Sequence, residues 1–385
     1  MNIDESTIEA SHSLISPKDE AELAAFVGES HARAAPMRIV GGGTRIEAGA
    51  AEAEHILTTR KMSGIVTYEP GALTLIARAG TSLQDVEDAL AAEGQALAFE
   101  PMDHREILDS KGTPTIGGIV SANVSGPRRI QAGACRDYLL GVRFVDGRGR
   151  TIKNGGRVMK NVTGLDLGKL LCGSFGTLGV LTEVALKTLP RAEVEKSLAF
   201  PRITLRDACE IFVAALAMPF EVSGAAFHGG TAWLRVEGFE AQVDYRVERL
   251  KELFLPREIN VVADAVSRSV WRDLRDVKHF ADSKAPIWRI LIKPSEAPAV
   301  VEALRQLGGD ASADWGGGLI WFSGVAASAA VRKAVGKGRA MLVRRGPLPA
   351  ADLFPPEYGA VARISASLRK TFDPAGIFNP RLMGN

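Results

Sequence analysis

Apolar and polar positions along this chain follow two styles, and the change falls near Pro190. In Glu20-Ala-Glu-Leu-Ala-Ala-Phe-Val, the apolar Leu23, Phe26 and Val27 recur at helical spacing, which predicts a helix over residues 20–35. The short apolar run Met37-Arg-Ile-Val40 predicts a strand that stops at Gly41-Gly-Gly-Thr44. Ile65 to Ala79 reads as two strands turned at Glu69-Pro-Gly71. Ser82-Leu-Gln-Asp85 has the form of a capping box, opening a helix with Leu83, Val86 and Leu90 on one face and Gly94 as its stop. A strand near Ala96 to Phe99 follows, and Leu140–Val145 and Arg150–Lys153 flank Asp146-Gly147, a hairpin signal. These elements predict an α+β domain over 1–190.

Past Pro190 the glycine-rich loops thin out. Amphipathic helices near 205–217 and 240–255 alternate with strands near 224–236, 287–293 and 318–323, which predicts a second α+β domain over 191–350. A helix near 357–371 and the loop-like tail Phe372-Asp-Pro-Ala-Gly-Ile-Phe-Asn-Pro380 make up the remaining segment, 351–385.

Composition narrows the function. The 385 residues carry 47 Lys and Arg against 45 Asp and Glu, a balance too even to field a nucleic-acid-binding surface. Cys135, Cys172 and Cys209 stand far apart in sequence with no C-x-x-C pair, which excludes a zinc finger, a Cys-ligated iron–sulfur cluster and a disulfide framework, and so points to a reducing compartment. The start, Met1-Asn-Ile-Asp-Glu-Ser, is acidic and lacks a signal pattern. The longest uncharged run, between Asp314 and Arg332, is broken by glycines and falls short of the ~20 apolar residues of a spanning helix. The expectation is a cytoplasmic chain with no membrane span of its own.

The 40 glycines cluster in runs that need a local reason. Gly41, Gly42 and Gly43, followed by Thr44 and Arg45, can curl successive N–H groups into a nest for phosphate, or simply end a strand. Ile46 breaks the dinucleotide fingerprint, and no Gly-Lys-Ser/Thr follows as a P-loop requires. In the second run, Gly112 to Gly126, Thr115 can cap a helix whose first turn holds Gly117 and Gly118, leaving N–H groups for a ligand, with Ser121, Asn123 and Ser125 nearby. Close helix-on-sheet packing explains those glycines as well. The third run, Gly173-Ser-Phe-Gly-Thr-Leu-Gly-Val180, contains Gly176 and Gly179 and leads into a strand. Ordering three such runs costs entropy, which favours their convergence on one large nucleotide ligand.

The set Gly41–Thr44, Thr115–Gly118, Val158–Leu167, Gly173–Gly179 and the tail Phe372–Pro380 resembles the vanillyl-alcohol-oxidase (PCMH) type of FAD-binding flavoprotein. Within that family, Val270–Arg275, Pro286–Arg289 and Asp314–Gly317 are similar to the FAD-binding subunits of bacterial glycolate oxidases. The resemblance implies a two-subdomain FAD-binding domain, a smaller α+β cap domain and a C-terminal tail returning to the FAD domain. It implies that the first run cradles the FAD pyrophosphate, that the second lies along pyrophosphate and ring, and that Gly176 to Val180 meet the adenosine. Asn379 would approach the isoalloxazine, or else cap the chain end against the first domain. No His or Cys occupies the family's covalent-attachment positions beside Thr44 and Arg45 or at Gly112 and Thr113, so the FAD is expected to be non-covalent.

The implied reaction oxidises a small 2-hydroxy acid, glycolate, to glyoxylate. Such chemistry needs a cation on the carboxylate and a base on the hydroxyl. Arg289 and Arg275 are candidate clamps, although an arginine in such a place is more often a solvated or structural ion pair. Relatives that oxidise 2-hydroxy acids directly carry cap histidines with an acidic residue around a divalent metal. Of the six histidines here (His12, His31, His55, His104, His228 and His279), His228 and His279 stand alone in the cap. No metal site is therefore expected, and His279 is the candidate catalytic base. Trp288, Trp315 and Trp321 suit a flavin pocket border or plain core. The implied partners are a homologous flavoprotein subunit and an iron–sulfur subunit, through which the chain could reach the inner face of the membrane. A stand-alone flavin oxidoreductase for another hydroxy acid or sugar alcohol, and a structural subunit without FAD, are the rival readings.

Overall fold

A computed structural model describes residues 13–45, 53–156, 164–349 and 352–384. His12, Ile46, the residues Met1–Ser6 and the 158–163 part of the Val158–Leu167 stretch lie outside the described residues. The chain divides into two units, one of Met1–Val124, Ala134–Pro190 and Pro356–Asn385, the other of Ser125–Gly133 and Arg191–Pro355. The division differs from a cut at 190 and 350 because the segment Ser125–Gly133 groups with the second unit.

Among the described residues the first unit holds two main sheets and one short two-stranded one. β1 (Ser13–Ile15), β2 (Met37–Val40) and β3 (His55–Thr58) form a parallel sheet in the order β1-β3-β2. The helix Glu20–Arg33 starts at Asp19, whose side chain accepts from the Glu22 N–H, and buries Leu23 and Val27. These two join Met37, Leu57, Val145, Ile377 and Phe378 in one apolar cluster. The C-terminal tail thus returns to this unit. Met37 N–H donates to Ile377 C=O at 2.7 Å and Asn379 N–H donates to Met37 C=O at 2.9 Å. Burying Ile377 and Phe378 is worth roughly 1.5–3 kcal/mol each.

The second sheet is antiparallel, in the order β4-β5-β9-β7-β8, from β4 (Ile65–Glu69), β5 (Thr74–Arg78), β7 (Leu139–Val145), β8 (Thr151–Gly155) and β9 (Val180–Lys187). The expected strand near Ala96 to Phe99 is only β6 (Gln95–Ala96), paired with β10 (Leu189–Pro190). Cys135 and Cys172, distant in sequence, meet inside this unit, where burial and the neighbouring thiol push the Cys135 pKa up.

In the second unit, eight antiparallel strands run in the order β14-β11-β13-β12-β16-β17-β15-β18. They are β11 (Val194–Phe200), β12 (Gly224–His228), β13 (Thr231–Gly238), β14 (Asn260–Ala263), β15 (Ile287–Leu291), β16 (Gly309–Asp314), β17 (Leu319–Gly324) and β18 (Arg339–Arg344). Register gives the sheet two unlike faces. Leu198, Leu234, Ala225, Ala313, Ile320 and Ile290 share one, and all are buried. Their face is apolar, and from it Trp288 meets Arg332 of the helix Ser328–Val335. Ser197, Arg235, His228, Ser312, Trp321 and Arg289 share the other. Successive side chains of a strand point to opposite faces, which produces this division. Among the described residues no helix is long and apolar enough to cross a membrane.

Candidate functional site

The first unit contains a cleft, part of it open to solvent. Gly41, Gly42, Gly43, Thr44 and Arg45 line it after β2. Thr115, Gly117, Gly118 and Ser121 line it from the second run, and Gly176, Gly179 and Val180 from the third. Asn379 lines it from the tail, so all three glycine runs and the tail converge on one space.

The glycines divide by duty. A Cβ on Gly42 would stand 1.5 Å from Thr113 O, one on Gly41 2.5 Å from Thr115 Oγ1, one on Gly117 2.6 Å from Ala79 Cβ, and one on Gly179 2.7 Å from Phe144. These four let backbone segments touch. Gly43 and Gly118 are different. A Cβ on Gly43 would meet nothing nearer than 3.8 Å and one on Gly118 only Thr115 Oγ1 at 3.2 Å, so side chains there would grow into the cavity. Gly43 also has a φ of 70°, which a β-branched residue does not tolerate.

The two loops offer unequal hydrogen-bonding capacity. Gly41 C=O accepts from Thr58 Oγ1 at 3.2 Å and Gly42 C=O from Arg60 Nη2 at 3.0 Å. Among the described residues no acceptor meets the N–H of Gly41, Gly42 or Gly43. This is the donor pattern of an anion nest. The helix Ile116–Ser121 departs from expectation. Thr115 caps it, but Ile116 N–H donates to Thr81 C=O, Gly117 N–H to Ala79 C=O, and Gly118 N–H to Thr115 Oγ1. Its first turn has no N–H left for a ligand, because β5's end and the cap take them.

Arg45 supplies the charge. Its Nε is buried with no hydrogen-bond partner, its guanidinium lies 5.8 Å from the Phe175 ring centroid, and burial pulls its pKa down to about 10. A half-buried cation whose buried Nε has no partner, beside unpaired N–H groups, fits a diphosphate. The residues present therefore fit FAD. Asn379 is held at both ends of its amide. Its Oδ1 accepts from Ile39 N–H at 2.8 Å and its Nδ2 donates to Phe175 C=O at 2.8 Å, so the amide knits tail, β2 and third run together. Asn123 does not line the cavity, and its Oδ1 accepts from Arg136 N–H at 3.1 Å. Ser125 is buried in the second unit, also away from the cavity. Arg38, Met102, His104 and Phe175 line the cavity without a sequence signal that singles them out. For Arg38 a charged residue in a short buried strand was the available hint.

On the polar face of the second unit, His228 and His279 do not stand alone. Their rings stack, with centroids 3.9 Å apart and planes 22° apart. His279 Nε2 is 2.8 Å from Ser312 Oγ. Burial, then His228, pulls the His279 pKa down to about 3, with Asp310 opposing, and burial lowers His228 too. Such an imidazole is a weak base, which weighs against the role expected for His279. Among the described residues no group of three or more His, Cys, Asp or Glu could hold a metal ion. Arg289 lies on the same sheet face, 5.2 Å from the Trp315 ring centroid, whereas Arg275 is tied to Asp276 through two hydrogen bonds of 2.8 Å.

The FAD binding domain family matches residues 12–155. Glycolate oxidase subunit GlcE of Escherichia coli (strain K12) is 33% identical over 350 residues, covering 90% of this chain and 92% of that protein. A D-lactate dehydrogenase of Archaeoglobus fulgidus is 32% identical over 210 residues, 54% of this chain and 45% of its own length. Among solved structures, p-cresol methylhydroxylase with substrate bound superposes with a TM-score of 0.73 over 97% of this chain and 90% of that one, at 14% identity, a likeness of fold alone.

Proposed function

From the premise that the chain belongs to the glycolate oxidase subunit GlcE family of FAD-binding flavoproteins, we propose that it is the FAD-carrying subunit of a heteromeric glycolate oxidase. The chain is an FAD-dependent oxidoreductase of 2-hydroxy acids, and its reaction is glycolate to glyoxylate with release of two electrons and two protons. The observation that carries the reading is the set of unaccepted N–H groups at Gly41, Gly42 and Gly43 beside Arg45, whose Nε is buried without a partner. Bound FAD would supply the acceptor for the electron pair removed from the substrate. The protein's own part is to hold the diphosphate on that nest, to order the third run through Asn379, and to exclude water with Met102, Phe175 and Leu382 in the cavity wall.

Electrons then leave for partner subunits, which we propose to be a second flavoprotein of the same family and an iron–sulfur protein, with any membrane contact made through them. The FAD is dissociable in this reading. His104 in the cavity wall is the side chain whose attachment to flavin would contradict it.

The test is a visible spectrum of the chain purified alone, repeated on the supernatant after acid precipitation, followed by anaerobic addition of glycolate to the chain and to the assembled complex. Flavin bands released by acid, and bleached by glycolate in the complex, are expected. A folded, colourless chain that takes up no added FAD would sink the cofactor assignment, and an assembled complex whose flavin ignores glycolate would sink the substrate.

A further inference from the structure

Consecutive glycines at 41, 42 and 43 leave the loop after β2 able to turn its peptides either way. The Gly41–Gly42 and Gly42–Gly43 peptides have glycine on both sides, so a half-turn of either plane costs little in local sterics. A trans peptide holds its C=O and the following N–H on opposite edges. The Gly41 carbonyl therefore decides where the Gly42 N–H points, and the Gly42 carbonyl decides for Gly43. A nest is only as good as whatever fixes those carbonyls from behind.

Residues outside the run do this. Parallel pairing of β2 with β3 sets Thr58 opposite Val40, the residue before the nest, and Thr59 N–H donates to Val40 C=O at 3.4 Å. That register brings the hydroxyl of the buried Thr58 to Gly41 C=O, to which it donates at 3.2 Å. The chain then turns, with Met62 N–H donating to Thr59 C=O at 2.9 Å. Arg60 reaches back from this turn, and its Nη2 donates to Gly42 C=O at 3.0 Å. The two clamps are joined, because Arg60 N–H donates to Thr58 Oγ1 at 3.4 Å. Gly112 supplies the space. A Cβ there would stand 1.9 Å from Gly42 O, so a side chain at 112 would push that carbonyl off Arg60. A guanidinium on the Gly42 carbonyl also polarises the peptide, which makes the Gly43 N–H a stronger donor.

We infer that Thr58, Arg60 and Gly112 are positioning residues for the cofactor diphosphate, which aim the Gly42 and Gly43 N–H groups into the cleft. None of the three lines the cleft, so their effect passes through the backbone. The inference rests on the reading of this cleft as the FAD site. Nothing in the glycine run itself marks these residues, because the carbonyl partners come from the next strand and the second run.

The experiment is fluorimetric titration of the FAD-stripped chain with FAD, with the melting temperature of each stripped variant as the check that it folds. Thr58 separates aim from packing. Thr58→Ser keeps the hydroxyl and loses a buried methyl group, whereas Thr58→Val keeps the methyl and loses the hydroxyl. FAD affinity should stay within about threefold of wild type in Thr58→Ser and fall about tenfold in Thr58→Val, the size of one hydrogen bond. A packing role predicts the opposite order. Arg60→Met should also lose about tenfold, with Arg60→Lys between it and the wild type. Gly112→Ala should bind FAD more weakly than Arg60→Met, and if it does not fold, the Thr58 and Arg60 variants decide. FAD affinity within about threefold of wild type in both Thr58→Val and Arg60→Met would overturn the inference. So would weaker binding by Thr58→Ser than by Thr58→Val. The two readings separate in the same titration. A wild type that takes up no FAD sinks the cofactor reading and the inference with it, whereas wild-type uptake with indifferent variants sinks the inference alone.

Discussion

The cradle of the first unit and the polar sheet face of the second solve recognition in opposite ways. In the cradle the chain brings main chain to the ligand. Gly41, Gly42, Gly117 and Gly179 let loops touch, Gly43 and Gly118 leave space, and one half-buried side-chain charge, Arg45, completes the donor set. On the sheet face the backbone is saturated by its ladder, so any chemistry there falls to side chains brought into line by register: Ser312, Trp321 and Arg289, with His279 added from outside the strands. A site made of backbone is intolerant of added atoms. A site made of side chains is intolerant of lost partners. Substitution should therefore break the first by bulk and the second by charge.

The largest effect should come from Gly118→Leu. The new side chain would grow into the cavity while Gly118 N–H keeps its bond to Thr115, so the chain should fold and purify without flavin, a loss of affinity above ~100-fold. Absorbance of the purified variant and its titration with FAD check this. Retained flavin at wild-type stoichiometry would show that the ligand lies elsewhere in the cavity. In the second unit the corresponding insult is Glu237→Ala, which strands Arg235 and Arg128 near one another. Breaking a buried pair by removing one partner costs about 3–5 kcal/mol. Urea unfolding should report it, and limited proteolysis should show faster cleavage within Ser125–Gly133. Unchanged flavin content in the folded fraction would confirm that the two sites fail separately.

That contrast also explains what the sequence disclosed. Runs of glycine are visible because the reason for them is local: a turn, a close approach, an N–H left over. Gly41–Gly43, Gly117–Gly118 and Gly176–Gly179 could thus be placed together before any coordinates. The same logic over-reached at the helix Ile116–Ser121, since nothing in the local sequence says that Thr81 and Ala79 carbonyls take its first N–H groups. Side-chain sites assembled across strands carry no such local mark. His228 and His279 are far apart in the chain and touch only because the short helical turn Lys278–Phe280 lies over β12 and β16. Half the strands of the second unit, β11, β14, β16 and β18, escaped notice for a related reason. Their faces mix Glu, Ser and Arg with apolar residues, so the alternation is not a clean polar–apolar one.

The tail offers a smaller and sharper test of the cradle. Asn379→Ala leaves Ile39 N–H and Phe175 C=O without their partner. Two part-buried groups left unsatisfied cost about 2–3 kcal/mol. Because Asn379 orders the third run rather than carrying charge to the ligand, FAD affinity should fall less than in Arg45→Gln, and added FAD should restore much of the lost melting temperature by mass action. If Asn379→Ala instead shifts the flavin absorption maxima while leaving stability intact, its amide touches the ring after all.

The smallest effect is a pH dependence that belongs to the sheet face alone. Burial and His228 hold the His279 pKa at about 3, below its ordinary value of 6.5. Between those values the unfolded chain binds a proton that the folded chain refuses, so stability rises with pH across that window and is lost as pH falls from about 6.5 toward 3. Above 6.5 the contribution is complete and flat. The ring is only half-buried, so solvent screening discounts the full linkage, and on the order of 1–2 kcal/mol should be recovered at the acid end by His279→Gln, whose amide can still meet Ser312. Glu237 adds its own acid loss lower down, between its ordinary 4.5 and about 2. Melting temperatures of the wild type and the variant, measured from pH 7 to pH 5, therefore isolate the histidine from the carboxylate. Parallel curves over that range would mean that the stacked rings are wet enough to titrate normally, and the base role set aside for His279 would return to consideration.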